Sequence, residues 1–163
     1  MNSLLIIGQT FPEPTTTAAG VRMLQLIQLF INHGYQITFA SSATNTAKSI
    51  DLTPLGVTTQ QIAINDPSFD VFITLLNPTL VLFDRFITEE QFAWRVTQCC
   101  PKALKILDTE DLHFLRKARQ QALKDAIDVK DANLFTDTAK REIASILKCD
   151  LSLIISEFEM ELL

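Results

Sequence analysis

Short, largely apolar runs alternate along this chain with longer segments whose apolar residues recur every three or four positions. Residues 4–7 are Leu-Leu-Ile-Ile, and Gly8 ends the run. Such a run suits a β-strand covered on both faces. Further strands are predicted at residues 36–40, 80–83, 104–107 and 151–155. A weakly alternating stretch at residues 57–64 reads as a strand near a sheet edge.

The segments between these runs carry helical spacing. Met23, Leu24, Ile27, Phe30 and Ile31 form one apolar face, while Arg22, Gln25, Gln28 and Asn32 form a polar stripe. That helix starts near residues 18–20 and stops at Gly34, a residue suited to a left-handed cap. Asp66 and Pro67 read as cap and first residue of a helix with the stripe Phe69, Phe72, Ile73 and Leu76. Thr88-Glu89-Glu90-Gln91 matches a capping box that opens a helix through about Cys99. A helix resumes near Leu112, and Phe135, Ala139, Ile143, Ile146 and Leu147 mark another. Ser156-Glu157-Phe158-Glu159 is a second capping box. Residues 9–17, 45–54 and 125–133 read as loops.

Strands that alternate with helices imply a parallel sheet covered on both faces. Right-handed crossovers favour the strand order 3-2-1-4-5-6. The expectation is therefore a Rossmann-like α/β fold in three layers, built as one domain across residues 1–163.

Composition narrows the function classes. A hydrophobic content of 47% excludes a disordered chain. A net charge of −5 argues against a general nucleic-acid binder, which needs a basic face. No apolar run approaches the ~20 residues that span a bilayer. Cys99, Cys100 and Cys149 are odd in number and lack Cys-x-x-Cys spacing, so they read as reduced thiols of a cytoplasmic protein. Two histidines and scattered cysteines give no metal-ligand spacing, and no metal site is expected.

Parallel strands all end on one side, so polar residues at their carboxyl ends share a rim: Gly8-Gln9, Ser41, Asp84-Arg85, Asp108 and Ser156. Residues 103–119 hold the densest chemistry, with Asp108, Glu110, Asp111 and His113 followed by Arg116, Lys117 and Arg119. Asp84 and Asp108 are either site carboxylates or members of structural ion pairs. His113, in the first turn of its helix, is either a proton-transfer group or a cap. His33 abuts a helix end and reads as structural, as does Glu159 in its capping box. The loop before Gly20 leads into a helix N-terminus, which is either an anion site or an ordinary surface loop. It matches neither the dinucleotide fingerprint nor a P-loop, which argues against a nicotinamide oxidoreductase. The basic helix with Arg116, Lys117, Arg119 and Lys124 is either a solvated face or a site for phosphate or anionic lipid. The second reading implies peripheral membrane contact.

Four stretches together resemble the N-terminal half of a GT-B-fold glycosyltransferase. They are residues 18–22, 34–38, 107–116 and 149–159. The resemblance implies the acceptor side of a cleft for sugar transfer from a nucleotide-sugar donor to a hydroxyl acceptor. It implies no metal and no bound cofactor, the nucleotide sugar being a co-substrate. It implies a partner as well, a C-terminal donor-binding domain or subunit absent from these residues. The site expected is His113, Asp111 and Asp108 as catalytic residues, with Gly8, Gly20, Asp84, Arg85, Glu110 and Arg116 binding substrate. The alternative is a non-catalytic Rossmann-like module for an anionic ligand or a partner protein.

Overall fold

Six strands form one sheet: β1 (Ser3–Gly8), β2 (Gln36–Ser41), β3 (Thr58–Gln61), β4 (Leu80–Asp84), β5 (Leu104–Asp108) and β6 (Leu151–Leu153). Their order is β3-β2-β1-β4-β5-β6, and every neighbouring pair is parallel. This is the expected Rossmann-like α/β topology. The computed structural model describes residues 2–163.

Six helices accompany the sheet: α1 (Ala18–Asn32), α2 (Ser68–Leu76), α3 (Arg85–Cys99), α4 (His113–Lys124), α5 (Asp137–Lys148) and α6 (Glu157–Leu162). The strand pleat sorts the core into two layers. Leu5 and Ile7 of β1 pack with Phe69 and Ile73 of α2 and Phe92 and Val96 of α3. Leu4 and Ile6 face the other way, toward Met23 and Ile27 of α1. Burial of each such side chain contributes about 1.5–3 kcal/mol.

The sequence and the structure differ at element ends. β3 spans four residues rather than residues 57–64, and those four are exposed. Val57 and Ile62, at either side, are the buried ones. α3 follows β4 without a loop, three residues before the expected capping box. Thr88 is not its cap, since the buried hydroxyl donates to the carbonyls of Asp84 and Arg85, each at 3.0 Å. Glu89 is buried too, and accepts from the Ser145 hydroxyl at 2.6 Å. β6 stops at Leu153, two residues early. Phe135 is 94% exposed and lies outside α5, whose cap is Thr136.

The loop before α1 is a built structure. Glu13 accepts from the Thr16 and Thr17 amides through its carbonyl, and its carboxylate accepts from the Thr16 and Thr46 hydroxyls. Phe11 is buried against Phe39. Gly20 makes this possible, because a Cβ there would lie 2.5–2.7 Å from the Glu13 backbone.

The N-terminus of α4 is held from a distance. Its own cap residue, Leu112, has no side-chain hydrogen bond to give. Instead Glu142 of α5 accepts from the His113 and Phe114 amides at 3.0 and 2.8 Å. Glu159 of α6 accepts from the Leu112 amide at 3.1 Å. Two carboxylates at a helix N-terminus also suit its dipole. Glu159 therefore serves the start of α4 rather than its own helix, which Ser156 caps by accepting from the Glu159 amide at 3.2 Å.

Among the described residues, no helix is long and apolar enough to cross a membrane. No group of three or more His, Cys, Asp and Glu side chains among them is arranged to hold a metal ion.

Gly20→Ala is expected to lower stability by about 1–3 kcal/mol, the usual cost of overpacking. An unchanged urea midpoint would show that the loop yields freely. Glu142→Ala is expected to cost about 3 kcal/mol, because two buried amides lose a charged acceptor. Glu142→Gln should cost less, and equal losses for the two variants would argue against charged capping.

Candidate ligand cleft at the carboxyl edge of the sheet

The strand order reverses between β1 and β4, and open α/β sheets leave a crevice outside the strand ends at such a point. Here β1 delivers Gly8 and Gln9, and β4 delivers Asp84 and Arg85. The adjacent β5 delivers Asp108, in register with Asp84. Gly8 lets the chain turn under a crowded roof, since a Cβ would collide with the Phe39 ring and lie 2.8 Å from the Thr10 carbonyl oxygen.

A lattice of charged hydrogen bonds fills this edge. Arg22 of α1 donates to both oxygens of the fully buried Asp108, with its shortest bond at 2.7 Å. Arg85 donates through Nε to Glu110 Oε2 at 2.7 Å, and through Nη1 to the Gln9 side-chain oxygen. The Gln9 amide donates to Asp84 Oδ2 at 3.0 Å. Arg116 Nη1 lies 3.3 Å from Asp111 Oδ2. Arg85 and Glu110 both adopt left-handed backbone, with φ of 72° and 59°. Non-glycine residues rarely do so, and the strain is about 1–3 kcal/mol each. The two strained residues are the two partners of one ion pair.

Beside this lattice lies a cleft of about 500 Å³. Its wall includes Ala18 and Ala19, the guanidinium groups of Arg22, Arg85 and Arg116, and Ile155. Ala18 and Ala19 stand in the first turn of α1, where amides have no partner within the helix. Thr17 caps the Gly20 amide at 3.0 Å. The positive end of a four-turn helix and three arginines thus meet in one space, with Glu110 and Asp111 on the same wall.

Charge around the cleft is nearly balanced. Arg22 has Asp108, Arg85 has Glu110, and Arg116 has Asp111. Asp84 is the carboxylate left over, with Arg85 Nε 3.8 Å away. Its Oδ1 is buried without a hydrogen-bond partner. Burial pushes its carboxyl up to about 6; Arg85 opposes that shift, while Glu110 and Asp108 add to it.

The expected site residues are distributed as follows. Asp84, Arg85, Asp108 and Glu110 form the lattice; Glu110, Asp111 and Arg116 line the cleft; Gly8 and Gly20 shape its approach. His113 does not line it. The ring is buried, edge-on to Phe86, with Nδ1 3.1 Å from the Asp111 carbonyl oxygen and 3.5 Å from Glu142 Oε1. Of the basic helix, Arg116 lines the cleft and Arg119 lies over the Phe158 ring at 5.1 Å, and the two share a second hollow beside Glu159.

Three residues that build this region carry faint sequence signals. Arg22 sits in an ordinary polar stripe of α1. Gln9 is one polar residue of a long loop. Glu142 falls on the apolar face of α5, between Ala139 and Ile146, and a charge in such a position was the available clue.

No family model matches the chain, and neither does any curated protein. Among solved structures, it is similar to a short-chain dehydrogenase/reductase (wide type) from Veillonella parvula DSM 2008 in complex with NADP. The identity is 13% and the TM-score 0.54, with 94% of this chain and 67% of that chain covered. The likeness is one of fold, and it corrects the resemblance drawn from sequence. The neighbour is an oxidoreductase rather than a GT-B glycosyltransferase, so the acceptor-domain reading and its enzyme class are overturned. The expectation of no cofactor is overturned with them, because that neighbour holds NADP. The stretches that suggested a glycosyltransferase serve general structural ends here: Gly20 admits the Glu13 backbone, Gly34 ends α1 with φ of 76°, and Ser156 caps α6.

Asp84 also sets a pH dependence of stability. Its folded value of about 6 exceeds the ordinary 3.8, so the folded state holds its proton more tightly. Stability contributed by this group is full below pH ~4, falls as pH rises toward ~6, and stays lowered above that. Asp84→Asn is therefore expected to raise stability at pH 7.5 by about 1–3 kcal/mol, with the gain vanishing near pH 4. Denaturant titrations at the two pH values check this; an equal effect at both would refute it.

Proposed function

We propose that this domain binds a phosphate-bearing nucleotide, NADP or a close relative, in the cleft at the carboxyl edge. The observation that carries the reading is the meeting of the free first-turn amides of α1 with Arg22, Arg85 and Arg116 at the strand-order reversal. The binding-module alternative for an anionic ligand is thereby given a location and a chemistry.

The residues present suit such a ligand in three ways. Gly8 and Gly20 each occupy a position where a Cβ would strike backbone or a buried ring. Dinucleotide-binding turns use glycines for the same two ends, a tight turn and close helix packing. Ala18 and Ala19 would present amides to phosphate oxygens, with the arginines neutralising their charge. The end of β2 carries the buried Ser41 rather than a carboxylate. A carboxylate there would bind a ribose 2′-hydroxyl, whereas its absence leaves a 2′-phosphate unopposed. The glycine-rich fingerprint itself is replaced by the longer loop built on Glu13 and Phe11.

Arg116 is half exposed and contributes little to the fold, so it isolates binding from stability. Calorimetric titration with NADP, NAD and ADP is expected to show binding to wild type. Arg116→Ala should weaken it about tenfold, the loss of one charged hydrogen bond, without moving the unfolding midpoint. No binding of any of the three up to ~1 mM, equivalent to about −4 kcal/mol, would overturn the reading.

A further inference from the structure

We propose that a nucleotide phosphate entering this cleft drives a proton from solvent onto Asp84, so that binding and protonation are one coupled event. The inference rests on the reading above and adds to it a control by pH.

The argument begins with the surplus carboxylate. Asp84 and Asp108 occupy register partners at the ends of β4 and β5, and both are buried. Asp108 has a guanidinium of its own, from Arg22 on α1. Asp84 has one amide bond, from Gln9 in the loop after β1, and an Oδ1 that nothing satisfies. The charged groups around it are Arg85 at the start of α3, Glu110 in the connection after β5, Asp108 itself, and Arg22 behind Asp108. Of these, Arg85 alone stands close enough to offset its charge directly, at 3.8 Å.

Arg85 also lines the cleft. A phosphate there adds negative charge to a space already holding Glu110 and Asp111, and it draws on the guanidinium that Asp84 shares. A buried carboxylate that loses its counter-charge is costly to keep ionised. Protonation removes the cost, because the buried carboxyl is then neutral. The proton comes from water and ends on the Asp84 carboxyl, and no covalent bond to the ligand forms. Burial already holds that carboxyl at about 6, so only a modest further push brings it across neutral pH. Asp84 acts through Arg85 and is a positioning residue.

The sign of the effect separates it from the ligand's own titration. Arginines that bind a phosphate stabilise its ionised form, so the ligand by itself would release protons. Calorimetry with NADP at pH 7.5, in two buffers of different ionisation enthalpy, is expected to show net proton uptake by wild type. The uptake should be a measurable fraction of one proton per ligand. Wild-type affinity should fall by up to about tenfold per pH unit between ~6.5 and ~8. Asp84→Asn should bind NADP with a flat profile over the same range and take up no proton. Proton release or no exchange by wild type overturns the inference. So does a pH profile that survives in Asp84→Asn, and in that case the binding reading stands. If neither protein binds at any pH, both fall. The wild-type calorimetry decides the matter even if Asp84→Asn does not fold.

Discussion

Two carboxylates lie side by side at the ends of adjacent strands, where the sheet's own register puts them and where water does not reach. Such a pair is tolerable only with positive charge brought in from elsewhere. Arg22 comes from α1 and Arg85 from the start of α3, so the two helices that flank the strand-order reversal are pinned to it by charge. Packing alone would set the helices on the sheet. The ion pairs set where along the sheet they stop, and so fix the cleft between them.

A related arrangement recurs at the start of α4. There a helix lacks a cap of its own and takes carboxylates from α5 and α6 instead. Glu142 and Glu159 are separated in sequence from the amides they serve, so they tie the last third of the chain to the site region. They also take the amides of Leu112, His113 and Phe114 at that helix end. The start of α1 differs: Thr17 caps the Gly20 amide there, and among the described residues no carboxylate takes the amides of Ala18 and Ala19.

Much of the fold was readable from pattern alone. The runs of β1, β2, β4 and β5 are too short for helices, and the handedness of crossovers then favours the strand order observed. What pattern could not show was polar burial. Thr88 and Glu89 form a capping signature, yet they sit in the interior, because the helix starts three residues earlier and rotates them inward. Arg22 looks like any solvated helix residue until Asp108 is found beneath it. The family resemblance erred for a related reason. A glycine at a helix start, a glycine at its end and a serine cap serve local packing and capping in many sheets of this topology, and they say little about the chemistry at its rim.

The three cysteines are free, and Cys99, Cys100 and Cys149 all precede strands, at the amino end of the sheet. Burial pushes the Cys149 thiol up to about 12 and raises that of Cys100 as well. Electrophiles and mild oxidants act on thiolates, so neither of these is a ready target. Cys99, only partly buried at the end of α3, stands a full strand length away from the cleft, where an attached fluorophore would report on the domain without crowding that edge.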